Sequence, residues 1–491
     1  MATETEIKLS LSARAASALA KQAMLSNIER HRQLLINTYY DTHDKRLRRE
    51  QMVVRHRQKG RQWLLTVKTA PMLAAGLAQR SEWEVPSRPG EFDFSHLDGS
   101  VRALLESLRD DLQPAFTTHF MRHTWLLEPR AGVRIELALD RGWIEARGQR
   151  QTIREIELEL LDGTVSDLFA VAAELQVSLP LHPEASSKSE RAYRLLADLP
   201  LTAVKALPVP TDATMSSIGA FRLIALSCLN HLQNNEAGVC RSDEPEFVHQ
   251  ARVAIRRLRS AIRLWQPRLP EDFVTRFDPL WQELANKLGD TRNWDVFLAE
   301  TLPALADALP GRVEVERLSS HARRRCANSR KASRSALKSA VYSRLLIDFS
   351  AAIQSLPDDA AGSLARFVPR CLDKRARRVE DRAAAALGTD DAARHRLRVA
   401  FKQLRYAVEF FTPILAGPVL ANYHQSASDL QDLLGRLNDL AVASQLVAEA
   451  PTAGRGQGIA DWLATQTDSL LPEFARRLND FQQQPVPWKA G

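Results

Sequence analysis

Around Pro200, Pro208 and Pro210 the hydrophobic period of this chain changes. Before the prolines, apolar residues repeatedly alternate with charged ones; beyond them they recur every three or four positions. A strand sends alternate side chains to opposite faces, whereas a helix returns to one face after about 3.6 residues. The change therefore predicts an α+β part over 1–200, a proline-containing linker over 201–213, and an all-α part over 214–491. Closely spaced prolines favour an extended linker over a helix. Strands are expected at Thr5–Leu9, Met52–Gln58, Trp63–Lys68, Arg80–Val85, Val133–Asp140 and Arg154–Leu160, with helices at Ser12–His31, Val101–Asp111 and Ser166–Gln176.

The alternating runs share an unusual face. Glu4, Glu6 and Lys8 line up in "ETEIK", and Glu155, Glu157 and Glu159 in "EIELELL". Arg55 and Arg57 share a face in "VRHR", and Lys68 ends "LLTVK". Arg80, Glu82 and Glu84 share one, as do Arg134, Glu136 and Asp140. A single charged face is ordinary in a half-exposed strand. Repeated Arg/Glu faces, with carboxylates on the end strands and arginines on the middle ones, predict a sheet curved into a barrel. Its interior is charged, and its apolar exterior lies under helices.

Carboxylates crowded inside a barrel repel one another, and some of their pKa values rise unless a cation joins them. Oxygen donors without His or Cys suit Mg2+ or Mn2+ rather than Zn2+. Guanidinium groups beside them call for a compact polyanion, which they bind in bidentate fashion. Together these features point to a phosphate chain. The loop GxxxxGK[ST] is absent from the sequence, so a P-loop enzyme is excluded.

"ETEIK" resembles the ExExK signature of the CYTH domain of triphosphate tunnel metalloenzymes. The likeness continues through "YYDT", "VRHR", "TVK", "QRSEWEV", "RIELALDRG", "EIELELLDG" and "SSKSERAY" as far as about residue 198. It implies an eight-stranded antiparallel tunnel that hydrolyses or transfers at a phosphoanhydride. Position by position, it implies Glu4, Glu6, Glu155, Glu157 and Glu159 as metal ligands. It implies Lys8, Arg55, Arg57, Lys68, Arg80, Arg122, Arg134, Lys188 and Arg191 as triphosphate clamps, with Glu4, Glu6 and Lys8 at the chemistry. Glu82, Glu84, Glu136 and Asp140 either join the ligands or hold arginines in place.

The second part repeats itself. "VHQARVAIRRLRSAIRLW" from Val248 matches "RHRLRVAFKQLRYAVEFF" from Arg394, and "LGDTRNWDV" matches "LGRLNDLAV" at the same distance downstream. Preserved spacing predicts two related helix bundles with pseudo-two-fold symmetry. His249, Arg252, Arg256, Arg259 and Arg263 fall on one helix face, and His395, Arg398, Lys402 and Arg405 repeat that stripe. Like charges one turn apart are destabilising on a helix, so two such stripes predict a compensating anion. Glu409 and Ala441 stand where the first copy has Arg263 and Asp295, so the halves are expected to bind unequally. Further basic runs lie at 323–338 and 370–378. This half resembles the CHAD, or conserved histidine α-helical, domain over about 215–480. The resemblance implies binding of inorganic polyphosphate through the two stripes. Few aromatic residues interleave with these cations and no nucleic-acid module is recognisable, which disfavours nucleic acid.

Net charge supports the division: of +8 overall, nearly all falls in the second part. The four cysteines form no CxxC pair, and no apolar run is long enough for a bilayer. The expectation is a cytoplasmic protein that binds no membrane and is held near polyphosphate granules. Its expected activity is metal-dependent hydrolysis of inorganic triphosphate to diphosphate and phosphate. The alternatives are a non-catalytic polyphosphate-binding protein, or a tunnel acting on thiamine triphosphate or a nucleoside triphosphate through Trp63, Trp83 or Trp143. Oligomeric state is not legible in the sequence.

Overall fold

The computed structural model describes residues 2–489 apart from 70–71, 75, 198–199, 359–362, 389, 416 and 451–456. It divides into two compact units, Met1–Thr202 with Lys338–Ser355, and Ala203–Leu337 with Leu356–Gly491.

The first unit contains strands β1 (Ala2–Leu11), β2 (His31–Asp41), β3 (Val53–Lys59), β4 (Gln62–Lys68), β5 (Met72–Ala74), β6 (Leu77–Pro86), β7 (Gln113–Leu127), β8 (Arg134–Ala146), β9 (Gln149–Asp162) and β10 (Leu181–Pro183). Their order is β10-β1-β9-β8-β7-β2-β3-β4-β6-β5, and β1 also pairs with β6. The short β5 and β10 are edge additions; the other eight strands close an antiparallel barrel. Helices α1 (Ala13–Leu19), α2 (Arg46–Arg49), α3 (Gly99–Leu108), α4 (Val165–Ser178) and α5 (Lys188–Ala197) accompany it.

Alternation decides which face lies inside. Ile7 and Leu9 of β1, Ile135 and Leu137 of β8, and Ile156 and Leu158 of β9 point outward into a core completed by α1 and α4. Val54, Leu65 and Val67 meet Leu105 of α3 on another flank. The charged partners of these residues consequently face inward. Gly142 of β8 marks a close approach: a Cβ there would lie 2.0 Å from the carbonyl oxygen of His119 on β7. Helix formation over 12–31 stops early. Ser12 caps α1, which ends at Leu19, and a 3-10 turn at Ala23–Leu25 then leads into β2.

The second unit is helical: α6 (Ser217–Arg241), α7 (Pro245–Trp265), α8 (Glu271–Val296), α9 (Leu302–Ala308), α10 (Val313–Leu337), and then α12 (Leu364–Ala386), α13 (Asp391–Phe410), α14 (Pro418–Ala448) and α15 (Gln457–Gln482). Helix α6 packs on α7, α7 on α8, and α8 on α10; the second copy repeats this with α12, α13, α14 and α15. Helices α7 and α13, which carry the two basic stripes, pack against each other. The proline segment has no regular secondary structure. Within this unit, Val204 exchanges hydrogen bonds with Asn235 of α6 (2.9 Å) and the Thr211 hydroxyl donates to the Phe410 carbonyl (2.8 Å).

Helix α11 (Ala340–Gln354) lies far along the chain, within the stretch read from sequence as helical domain, yet it belongs to the first unit. It packs on α4 and β10 and buries Ile347 completely in the core beside α4.

Candidate functional site

The barrel encloses a cavity of about 580 Å³. Register sets its wall. Lys8 of β1 pairs across from Glu157 of β9, and Glu6 across from Glu159. Glu136 of β8 lies across from Glu159 on the other side. Closure sets Glu4 across from Arg80 of β6, and Lys68 of β4 lies across from Glu82. The end strands become neighbours, so the carboxylate-rich faces of β1, β8 and β9 form one wall. The arginines of β3 lie across the cavity from it, while Arg122 of β7 stands beside it, across from Asp140 of β8.

Most of these charges neutralise one another. Lys68 Nζ lies 2.8 Å from both Glu4 and Glu82. Arg80 donates to Glu4 and Glu6, each at 2.8 Å. Arg122 grips Asp140 through two bonds of 2.7 Å and also reaches Glu157. Lys188, from the first turn of α5, sits between Asp140 (2.7 Å) and Glu157 (2.8 Å). Although burial opposes ionisation, these cations hold the carboxyls of Glu4, Asp140 and Glu157 below the usual range. Burial and the surrounding arginines pull Arg57 down to about 10.

Two groups are left over. Glu136 and Glu159 have no ion-pair partner among the described residues. Burial and the neighbouring charges of Glu4 and Glu136 push Glu159 up to about 7. Across the cavity, Arg55 is buried. Its Nη1 donates to the Tyr39 hydroxyl at 3.2 Å, while its Nε and Nη2 donate no hydrogen bond. The nearest carboxylate, Glu82, is 3.8 Å from Nη2. The site therefore offers negative oxygens lacking a cation and positive donors lacking a hydrogen-bond acceptor.

Of the expected ligands, Glu4, Glu6, Glu157 and Glu159 line the cavity. So do Lys8, Arg55, Arg57, Lys68, Arg80, Arg122 and Lys188. Three expected residues lie elsewhere. Glu155 is fully buried on the same inward face as Asp140 and Glu157, but paired with Lys188 and, at 2.6 Å, with Arg191, and neither Glu155 nor Arg191 lines the cavity. Arg134 is exposed and pairs with Asp162 at 3.3 Å, because the β8–β9 register shifts between Arg134 and Ile135. Asp140, Glu155 and Glu157 bring oxygens within 4.8 Å of one another, but the Lys188 ammonium already occupies that cluster. The carboxylate donors that fit a hard cation are on the Glu4, Glu136 and Glu159 side. Glu82 and Glu84 hold cations, the latter Arg57 at 3.2 Å, and Asp140 holds two; Glu136 holds none. Sequence reasoning gave no role to Tyr39 or Asn37, which steady Arg55 and Arg57. Tyr39 falls within the quoted "YYDT" stretch, but β2 is not among the expected strands, so no face is assigned to either residue from sequence.

The helical unit separates the two basic stripes into spent and unspent charge. Arg259 and Arg263 both bind Asp278, at 2.8 and 3.2 Å, and Arg405 binds Glu409. Arg252, Arg256, Arg398 and Lys402 instead crowd together where α7 meets α13. Burial and the neighbouring cations push Arg252 and Arg398 down to about 10 and hold Lys402 well below the ordinary lysine range. Buried Nε–H groups of Arg256 and Arg398 lack partners. Gly289 of α8 leaves room for the Arg252 guanidinium, 3.4 Å from where a Cβ would stand. Burial and Arg292 lower His249 to about 4, whereas His395 is exposed beside Arg398, Asn438 and Ala441. In the first copy, the position matched by Ala441 is Asp295, which binds Arg330. No helix among the described residues is long and apolar enough to cross a membrane.

Comparison with known proteins is consistent with both halves. The family profile of the CYTH domain matches residues 2–193, and that of the CHAD domain matches 223–448. An inorganic triphosphatase of Haemophilus influenzae is 35% identical over 199 residues, which cover 40% of this chain and 55% of that protein. An uncharacterized protein of Mycobacterium tuberculosis is 32% identical over 235 residues, covering 44% of this chain and 43% of its own. The chain thus spans about half the length of these curated relatives. The crystal structure of the CHAD domain from the plant Ricinus communis is 30% identical and covers 57% of this chain and 96% of that one, with a TM-score of 0.50.

Proposed function

From the premise that the chain belongs to the CHAD family and carries a CYTH domain ahead of it, we infer that it hydrolyses inorganic triphosphate in the barrel and binds polyphosphate on its helices. One observation carries the first half. One cavity sets carboxylates without an ion-pair partner among the described residues, Glu136 and Glu159, opposite Arg55 donors without a hydrogen-bond acceptor. A phosphate chain escorted by a divalent cation satisfies both at once.

Glu4, Glu136 and Glu159, with Glu6 and Glu157 beside them, are the oxygen donors for Mg2+ or Mn2+. Such an ion supplies charge neutralisation on phosphate oxygens and lowers the cost of developing charge. The chain's own groups do the remaining work. Arg55, Arg57, Arg122 and Lys8 bind and orient the non-bridging oxygens, which is most of what phosphoryl transfer asks of a protein. Water adds to the terminal phosphorus and the anhydride P–O bond breaks, giving diphosphate and phosphate. Tyr39 and Asn37 keep two of the arginines in place.

The cavity wall favours an inorganic substrate. Trp143 stacks on His119 away from the cavity, with centroids 5.5 Å apart, and Trp83 packs in the core under α3. Neither these nor Trp63 lines the cavity, and the rings that do, Tyr39, Phe120 and His31, are set among charges. The resemblance to the Haemophilus influenzae inorganic triphosphatase supports the same substrate. In the helical unit, the unpartnered Arg256 and Arg398 support polyphosphate binding.

The test is phosphate release by the full chain from triphosphate, ATP, thiamine triphosphate and long polyphosphate, with Mg2+, with Mn2+ and with chelator. Metal-dependent release from triphosphate, lost in Arg55→Ala, is expected. No release from any substrate, with polyphosphate still bound, would leave a non-catalytic binding protein.

A further inference from the structure

The helical unit contains a second basic cavity, of about 630 Å³, to which the stripes contribute only Arg263. Its wall is α12. Arg366, Arg370, Lys374 and Arg378 follow one another at four-residue intervals on the exposed side of that helix, and all four line the cavity. Like charges at i,i+4 cost helix stability, and none of the four has a carboxylate partner among the described residues. Other elements converge on the same space. Arg263 of α7, through its carbonyl at 3.0 Å, and Gln403 of α13 hold Arg375 of α12 toward it. Arg268 lies over the Phe367 ring at 5.4 Å. The sole carboxylate in the lining is Asp278, already bound by Arg259 and Arg263.

The internal repeat shows that this feature is not a by-product of the fold. Helix α6 occupies the place of α12 in the first copy and carries only Arg222 and Arg241 as cations. Helix α12 carries seven Arg and Lys residues. Where the first copy has Arg263, the second has Glu409. The cavity therefore belongs to one end of a pseudo-symmetric bundle.

Its floor differs from that of the barrel. Leu264, Pro267, Val274 and Phe367 line it together with the cations, whereas the barrel is walled by charge of both signs. An anion with an apolar portion satisfies the floor and the wall together, and the volume is that of an ordinary small-molecule site. Only one, engaged, carboxylate is present, so no metal is required from the protein. We propose that this cavity binds an organic polyphosphate, of the nucleoside triphosphate class, separately from both the barrel and the α7–α13 cluster. The phosphates lie along α12 and the ring lies on the Leu264–Val274–Phe367 floor.

The test is calorimetric titration of the full chain with ATP, tripolyphosphate and adenosine, all in chelator. ATP is expected to bind more tightly than tripolyphosphate, and adenosine not at all. Arg370→Glu/Lys374→Glu should remove one binding component and weaken ATP there by about tenfold or more, since charge-assisted contacts are the strong ones. That component alone reports the α12 cavity, because the barrel also takes tripolyphosphate. The circular dichroism spectrum and triphosphate hydrolysis should not change. Arg370→Gln/Lys374→Gln should lose less. Val274→Ser should erase the advantage of ATP over tripolyphosphate. Lys68→Ala, which alters the barrel, should leave the ATP site intact. ATP affinity unchanged in Arg370→Glu/Lys374→Glu would overturn the proposal. So would tripolyphosphate bound as tightly as ATP in the component that Arg370→Glu/Lys374→Glu removes, which would mean a bare phosphate-chain site.

Discussion

Glu159 and Asp140 are both inward carboxylates of the barrel, and their surroundings predict opposite responses to neutralisation. Asp140 is fully buried and answers Arg122 and Lys188. Asp140→Asn takes one buried anion from each of two cations, which keep Glu157 and, for Lys188, Glu155. A loss of up to about 3 kcal/mol is therefore expected, read as a lower melting temperature with or without metal. Glu159 has no such partner. Glu159→Gln should keep or raise the metal-free melting temperature while abolishing metal-dependent hydrolysis. Its pH signature follows from a folded pKa of about 7, raised by burial and by Glu4 and Glu136. The folded state holds a proton that the unfolded chain releases near pH 4.5, so this group's contribution falls as pH rises from about 4.5 to 7. Metal-free melting temperatures measured across that window should lose this component of the slope in Glu159→Gln. A slope unchanged by the substitution would mean that Glu159 is not the crowded group. The charged faces behind these predictions were legible from alternation alone. The displacement of Arg134 was not, because a one-residue register shift between strands leaves no trace in either strand's own pattern.

At the scale of elements, the α7–α13 pair shows how helix packing sorts a uniform basic stripe. Sequence spacing placed His249, Arg252, Arg256, Arg259 and Arg263 on one face. It could not show that Asp278, from α8, would consume the last two. The cations that remain predict a linked titration. Lys402 is held well below the ordinary lysine range by burial and by Arg256, Arg398 and Arg252. A bound polyanion restores its charge, so polyphosphate binding should take up a proton and weaken as pH rises toward the ordinary lysine range. Calorimetry in two buffers of different ionisation enthalpy measures that proton, and Lys402→Arg should remove it. His249, already neutral above its pKa of about 4, should add no titration between pH 6 and 8. Arg256→Met/Arg398→Met should abolish binding and flatten its salt dependence without lowering the melting temperature, since both cations lie in a cluster with too few anions. The strands hidden from sequence have a similar cause. The inward faces of β2 and β7 mix Gln33, Asn37, Thr118 and Thr124 with aromatic residues, which blurs the alternation that reveals the other six.

At the scale of the molecule, the periodicity change near Pro200 separates sheet from helix, but compactness follows a different line. Helix α11 is amphipathic like its neighbours in sequence, and nothing in its period tells which core receives its apolar face. The structure gives that face to the first unit. Ile347 is buried in the core of β1, β9 and α4, His182 of β10 meets the Ser343 hydroxyl at 2.7 Å, and the Arg344 guanidinium donates to the Gln176 carbonyl of α4 at 3.3 Å. A chain ending at residue 202 therefore lacks part of its own core and exposes the apolar surface that α11 covers. Losing one large buried aliphatic contact costs about 2–5 kcal/mol, so the truncated barrel should melt well below a version carrying 338–355 on a flexible Gly/Ser linker. Hydrolysis of triphosphate at low temperature should be equal in the two, because none of the cavity's charged residues comes from α11. Ile347→Asp in the linked version should return it to the behaviour of the truncated one. Equal melting temperatures for all three would show that α11 rests on the barrel without contributing to it, and that the unit ends at its last strand and helix as the periodicity alone suggests.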